Sequence, residues 1–277
     1  MRRVSQYGIG IAVLLLAGLS AFAQENPQAL VSTVVNNELH SQKQPHYWMY
    51  LDHNTEHGKA EVKRTLQLPQ CWFTWPISVD GHPASQQEQD KARKENQELL
   101  NDRQLREKKR KEIDEDATKA NSLLKILPDA FIFTPAGHKA GATLLKFRPN
   151  PKYDPPSNEA KVFHAMAGTL VVSDKEKRLE KLTGKLTHNV DFGWGILGKI
   201  DKGGTFVVVQ SEVAPGDWEL TLLDVHISGK ALFFHTIGEQ QHESMTDFKP
   251  VPTDISLQRA AKMVESPASP PNSTVGQ

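Results

Sequence analysis

From residue 131 to residue 237 the chain is a succession of apolar segments of strand length cut by short turn signals, and this pattern restricts the fold more than any other feature. The segments are 131–134, 143–147, 162–172, 179–187, 193–200, 205–213, 218–227 and 230–237. The breaks between them include Ser173-Asp174-Lys175, Asp201-Lys202-Gly203-Gly204, Ala214-Pro215-Gly216-Asp217 and Ser228-Gly229. A parallel crossover needs a dozen or more residues, so connections this short join antiparallel neighbours. The expectation is a long meander of hairpins. Phe206 and Val208 alternate with Val207 and Val209, so both faces are partly apolar: one covers helices and the other is half solvated. Gly193, Gly195 and Gly198 around Trp194 mark bulges or sharp curvature in that sheet.

The rest of the chain divides by composition. Leu30, Val31, Val34, Val35 and Leu39 recur at helical spacing and predict an amphipathic helix over 27–40. Three extended segments follow, 47–53, 59–68 and 72–79, the last ended by the turn Asp80-Gly81-His82-Pro83. Residues 84–127 are rich in Gln, Glu, Lys, Arg and Asp with no internal Gly or Pro, the profile of a long solvated helix or helical hairpin ending before Pro128. Opposite charges meet there at i,i+4, each pair contributing about 0.2–0.5 kcal/mol. Only Ile113, Ala117, Ala120, Leu124 and Leu127 keep an apolar spacing that could dock on a body. The proline-rich stretch 148–158 predicts a surface loop. A last helix is expected within 254–264, and 265–277 lacks the apolar content to pack.

Residues 1–23 have the form of a secretory signal peptide: Arg2 and Arg3, an apolar run from Ile9 to Leu19, and Ala21-Phe22-Ala23 as a cleavage site. The run is too short to span a bilayer, so an exported chain without an integral membrane segment is expected after cleavage. Cys71 is the only cysteine; it permits no internal disulfide and sits in an apolar run as a small buried hydrophobe. The formal net charge is zero with both signs interspersed, which argues against nucleic acid as a partner.

Export, an N-terminal helix and an antiparallel meander together resemble the LolA/LolB-like half-barrels, the periplasmic lipoprotein carriers and the related RseB-type sensor domain. The segments Phe147-Arg148-Pro149-Asn150-Pro151, Met166-Ala167-Gly168-Thr169-Leu170, Phe192-Gly193-Trp194-Gly195, Lys202-Gly203-Gly204-Thr205-Phe206 and Gly229-Lys230-Ala231-Leu232 also resemble a group of exported bacterial proteins with no assigned activity. The resemblance implies an α+β fold in which a strongly curved antiparallel sheet wraps helices; that domain is expected over 24–253, with the charged helical stretch 84–127 as an insertion that departs from the simple carriers and 254–277 as a C-terminal helix and disordered tail. It further implies a concave apolar surface that holds acyl chains.

No nucleophile elbow, P-loop or dinucleotide fingerprint is present, and no enzyme activity or cofactor is expected. Trp194, Phe206, Trp218 and Phe233 fall in successive meander segments and are the candidates to line an apolar groove; packing in a filled core is the competing reading. The expected function is binding of a lipid, a lipoprotein acyl chain or another apolar ligand. Two alternatives stand beside it: recruitment of an envelope protein by helix 84–127, and a metal-dependent hydrolase built on His53 and His57. Those imidazoles are four residues apart beside Asp52 and Glu56, a spacing that converges on a helix or in a tight loop but not on a strand, where about 13 Å would separate them. His242-Glu243 lacks the second histidine of a zinc-protease motif and is expected as a surface pair. Asp224 and His226 share a strand face, where a serine could complete a hydrolytic group.

Overall fold

In the computed structural model, which describes residues 26–41, 43, 47–192, 198–231 and 235–266, the strand pattern becomes one continuous antiparallel sheet. The chain begins with helix α1 (Pro27–Ser41), strands β1 (Trp48–Glu56), β2 (Lys59–Gln67) and β3 (Trp72–Val79), and a two-residue edge β4 (His82–Pro83). Helices α2 (Gln86–Asn101) and α3 (Arg103–Ala130) follow, then β5 (Phe131–Lys139), β6 (Ala142–Pro149) and the short helix α4 (Asn158–His164). Strands β7 (Met166–Ser173) and β8 (Leu179–Leu186) precede a small pair, β9 (Val190–Phe192) and β10 (Gly198–Ile200). The long strands β11 (Thr205–Ala214), β12 (Asp217–Ala231) and β13 (His235–Pro250), and helix α5 (Leu257–Glu265), complete the fold. The expected signal segment and the tail from residue 267 lie outside the described residues.

The sheet is open, with order β4-β3-β2-β1-β13-β12-β11-β8-β7-β6-β5 and the β9–β10 pair attached to β12. Most neighbours are also neighbours in sequence, as a meander requires. Of the exceptions, β11 on β8, β10 on β12 and β1 on β13, the last decides the architecture: the first strand pairs with the last, with Asp52 opposite Met245, Asn54 opposite Glu243 and Glu56 opposite Gln241.

Residues in register share a face, so the faces can be followed across the sheet. Leu182 of β8, Val208 of β11, Leu223 of β12, Glu243 of β13 and Asn54 of β1 stand in one registered row. At the β5–β8 end this face is covered by the apolar stripe of α1 and the last turns of α3; Leu30, Val34, Leu127, Phe147, Leu170 and Leu186 belong to that core. At the other end the opposite face is covered: Met49, Leu66, Phe73 and Trp75 pack with Ala92 of α2 and with Ala260 and Val264 of α5. Two cores therefore lie on opposite faces of one sheet. Each fully buried Leu, Val or Phe contributes about 1.5–3 kcal/mol.

A buried ion pair fixes α1 to the sheet. The guanidinium of Arg178, in the β7–β8 turn, donates to both carboxylate oxygens of Glu38 at 2.8 and 2.9 Å. The Leu179 amide donates to the same carboxylate at 2.9 Å, and the two residues are 8% and 2% exposed.

Both sheet edges are blocked against further pairing. At β3 the buried Asn96 of α2 donates to the Thr74 carbonyl (3.0 Å) and accepts from the Thr74 amide (3.4 Å), as a neighbouring strand would. At the far edge β5 carries Pro135 and a register irregularity between Pro135 and Gly137.

Three expectations are corrected, and the choice left open for 84–127 is decided. The helical stretch 84–127 is broken at Asp102, whose amide donates to the Glu98 carbonyl and whose side chain accepts from the Leu105 amide, closing α2 and starting α3. Helix α3 runs past Pro128, because burial of Leu127 and Ala130 offsets the one amide that the proline lacks. Val162 and Phe163 begin no strand; they lie in α4, where Phe163 packs edge-on against Phe131 at 5.1 Å. Ser228-Gly229 is no turn, since β12 continues to Ala231. Gly229 is required instead by the approach of β10: a Cβ there would stand 2.3 Å from the Lys199 carbonyl oxygen.

Replacing Arg178 by Met leaves Glu38 buried without its countercharge, which costs about 3–5 kcal/mol. Urea unfolding at neutral pH measures it, and a loss under about 1 kcal/mol would show that α1 is held without the pair.

Candidate functional site

The most unusual chemistry lies where β1 meets β13. Tyr50, Asp52, Asn54 and Glu56 alternate onto one face of β1, and Glu243 on β13 registers with Asn54 on that same face. The row continues into Leu223 and Val225 of β12, opposite Glu243 and Gln241. It is the face that further along the sheet is the covered side of the α1 core; here Asp52 and Glu243 are half-buried and Glu56 is exposed.

One end of this row is aromatic. Asp247 of β13 takes a positive φ of 56° where the β1–β13 register shifts between Met49 and Leu51. One extra residue in β13 re-aims the following side chain. Phe248 thereby stacks on Tyr50 at 5.1 Å and meets Trp48 edge-on at 6.1 Å. Trp48 and Tyr50 are 5% and 8% exposed.

Beyond the aromatics the row is acidic. Burial raises the Asp52 carboxyl above its usual range, while Lys63, its registered partner on β2, acts in the opposite direction. Glu243 is pushed up to about 7 by burial first and then by the charges of Asp52 and Glu56. Its Oε2 accepts one hydrogen bond, from Gln241 at 3.0 Å. Tyr50 is held in its neutral form by burial, with Asp52, Glu243 and Glu219 adding to the effect. Among the described residues, Asp52 Oδ1 and Asn54 Oδ1 are buried and accept no hydrogen bond, and Gln210 Oε1 on β11 shares that condition. Chemically the row is an acceptor surface, with one carboxyl group that exchanges its proton near neutrality.

The reverse face of the same strands is solvated. Asp224 Oδ1 lies 3.1 Å from His226 Nε2 and 3.2 Å from His242 Nδ1, and both histidines are exposed. Asp224 and His226 thus share a face as expected, and the third member is a histidine from the adjacent strand, not a serine. The pair His242-Glu243 is split: His242 is on the solvated face while Glu243 is half-buried on the other.

His53 and His57 do not converge. His53 lies on β1 with Nε2 3.1 Å from Thr246 Oγ1, and His57 forms the β1–β2 turn with a positive φ. Among the described residues, no group of three or more His, Cys, Asp or Glu is arranged to hold a metal ion. Cys71 is buried, and burial pushes its thiol up to about 11, which leaves it unreactive at neutral pH.

Of the four groove candidates, Phe206 is half-buried and packs against the α1 core. Trp218 is half-buried, with the Arg178 guanidinium 5.9 Å over its ring. Trp194 and Phe233 lie outside the described residues. Tyr50 carries no signal of its own in the sequence, and Glu243 is expected there only as half of a surface pair; the available signal is the alternation of Tyr50, Asp52, Asn54 and Glu56, one strand face with two carboxylates.

Compared with known proteins, the chain matches no protein-family model, no curated protein and no solved structure.

A carboxyl group whose proton is held more tightly in the folded than in the unfolded chain contributes less stability as pH rises between the two values. For Glu243 that window runs from about 4.5 to about 7. Unfolding free energy should fall across it by roughly 1–2 kcal/mol, after discounting for partial exposure. Denaturant titrations at pH 5 and pH 8 measure the drop. Glu243→Gln should remove most of it, and an equal drop in the variant would assign the effect to other groups.

Proposed function

We propose that this is an exported, non-enzymatic binding protein whose open, curved sheet takes up an apolar or amphipathic ligand, such as a lipid or a lipoprotein acyl chain. One observation carries the reading. Between the two helix-covered ends, Val207, Val209, Leu220, Leu222 and Leu223 of the middle strands are only half-buried, on both parities, while Val208 packs against the α1 core and Val225 is buried. A filled core would enclose one of those parities. Contiguous half-open apolar surface on a chain with adequate cores elsewhere is characteristic of a binding face. The acceptor row at Asp52 and Asn54 gives an amphipathic ligand a polar end to meet.

Native mass spectrometry after mild purification from an exporting host should show the chain carrying lipid-sized ligand. Leu222→Arg should reduce that load and weaken binding of a fluorescent fatty acid about tenfold or more, the equivalent of about 1.4 kcal/mol. A chain always found empty, and without measurable fatty-acid binding, would refute the proposal.

A second reading rests on α3. Residues 107–120 are exposed apart from the half-buried Ile113, so this part of the helix is covered on no side. It is held by its own pairs, among them Lys109–Glu112, Arg110–Asp114, Lys111–Glu115 and Lys119–Asp116. Such a charged arm serves as a recruitment surface for an envelope protein. Deleting 107–120 should leave the circular dichroism of the sheet unchanged and remove co-purifying partners; the same partners on the shortened chain would dismiss this role.

A further inference from the structure

Helix α3 is tied to the body near its two ends. At its start the half-buried Arg106 donates to the Leu99 and Leu100 carbonyls of α2 at 2.6 and 3.1 Å, and at its finish Leu124 and Leu127 pack into the α1 core. Between these anchors residues 107–120, about 20 Å of helix, are exposed except for the half-buried Ile113. This span stands without cover from the sheet.

The charges on the span are sorted. Lys108-Lys109-Arg110-Lys111 form a basic block, and Glu112, Asp114, Glu115 and Asp116 form an acidic block directly after it. A helix is stabilised by acids towards its N-terminus and bases towards its C-terminus, and an i,i+4 ion pair is stronger with the acid first. Here the order is reversed. The first turn of α3 holds no acid, and its i,i+4 pairs Arg103–Glu107, Arg110–Asp114 and Lys111–Glu115 all place the base first. Stability of the helix alone does not account for such an order. What the order does supply is self-complementarity: turned end for end, the segment presents acid where the original presents base. A seam is also at hand, since Arg110, Ile113, Ala117 and Ala120 recur at helical spacing on one face, and Ala117 and Ala120 are exposed. Ile113 stands inside the boundary between the two blocks.

We propose that residues 107–120 pair antiparallel with the same segment of a second copy of this chain, about a two-fold axis at Ile113. The proposal rests on the reading of α3 as an interaction surface and names its partner. In this pairing Ile113 meets its own copy, the long stem of Arg110 lies over the small Ala117 of the second copy, and Lys109 stands beside the second copy's Asp116. Symmetry repeats each contact. A foreign partner would need the mirrored charge order in its own sequence, whereas a second copy has it by rotation. The paired surface is short and polar, so the dimer is weak and depends on salt.

Sedimentation velocity on the exported chain tests the pairing. A dimer should form at protein concentrations up to about 0.1 mM. Raising salt from about 0.1 M to about 1 M shortens the screening length from about 10 Å to about 3 Å and should weaken the dimer about tenfold or more. The combined change Lys109→Glu, Arg110→Glu and Lys111→Glu should leave monomer, as should Asp114→Lys, Glu115→Lys and Asp116→Lys, each with the circular dichroism of the wild type. Mixing the two variants should restore a dimer holding one copy of each. A monomeric wild type, a dimer indifferent to salt, variants that dimerise alone, or variants that stay apart when mixed would each overturn the proposal. A monomer that still carries envelope partners through 107–120 would do so and leave recruitment standing, and a monomer carrying none would remove both.

Discussion

The pairing of the first strand with the last organises this molecule. Without β1 against β13, the chain would be two separate sheets: a four-stranded unit, β1 to β4, with α2 and α5, and a meander with α1. The pairing joins 48–56 to 241–250, so its formation carries a large loop-closure cost and belongs to the slow, non-local class of contacts. What offsets that cost is unevenly placed. Apolar and aromatic packing of Met49, Trp48, Tyr50 and Phe248 supports one half of the seam, and the other half is held mainly by backbone bonds.

Placing the two cores on opposite faces has a direct consequence for the strands between them. A strand in the middle of the sheet belongs fully to neither core, so its side chains are half covered on both sides. Polar and charged residues are tolerated there, and valines and leucines remain partly open. The acidic row and the half-exposed apolar strands are therefore products of one topology, and they coincide with the region where binding is proposed. The helices reinforce the arrangement: α2 blocks the β3 edge through Asn96, and α3 delivers its last turns to the core at the other end.

Local pattern made much of the fold legible in the sequence. Strong alternation and short Gly- or Pro-containing breaks marked β2, β3, β8 and β11 close to their observed bounds, and the apolar spacing of Leu30, Val31, Val34 and Val35 marked α1. Where tertiary contact overrides local preference, the pattern misled. Gly229 looked like a turn because the β10 backbone that demands it is remote in sequence. Most of β13 escaped notice because Glu239-Gln240-Gln241-His242-Glu243-Ser244 is polar on both parities, as a strand between two half-open faces can be. The candidate site was hidden for the same reason. Asp52 and Glu243 are ordinary surface residues by type, and only the register shows that they share a partly buried face.

That register is also the point of greatest exposure for the account, because a slip of one residue would turn every side chain of β1 to the other face. Cross-strand nuclear Overhauser contacts in solution read it directly. Asp52 should contact Met245 and Asn54 should contact Glu243, with β13 in turn showing Asp224 against His242. A β1 without contacts to β13, or one displaced by a single residue, would put Asp52 and Glu243 on opposite faces and contradict the architecture on which the functional reading stands.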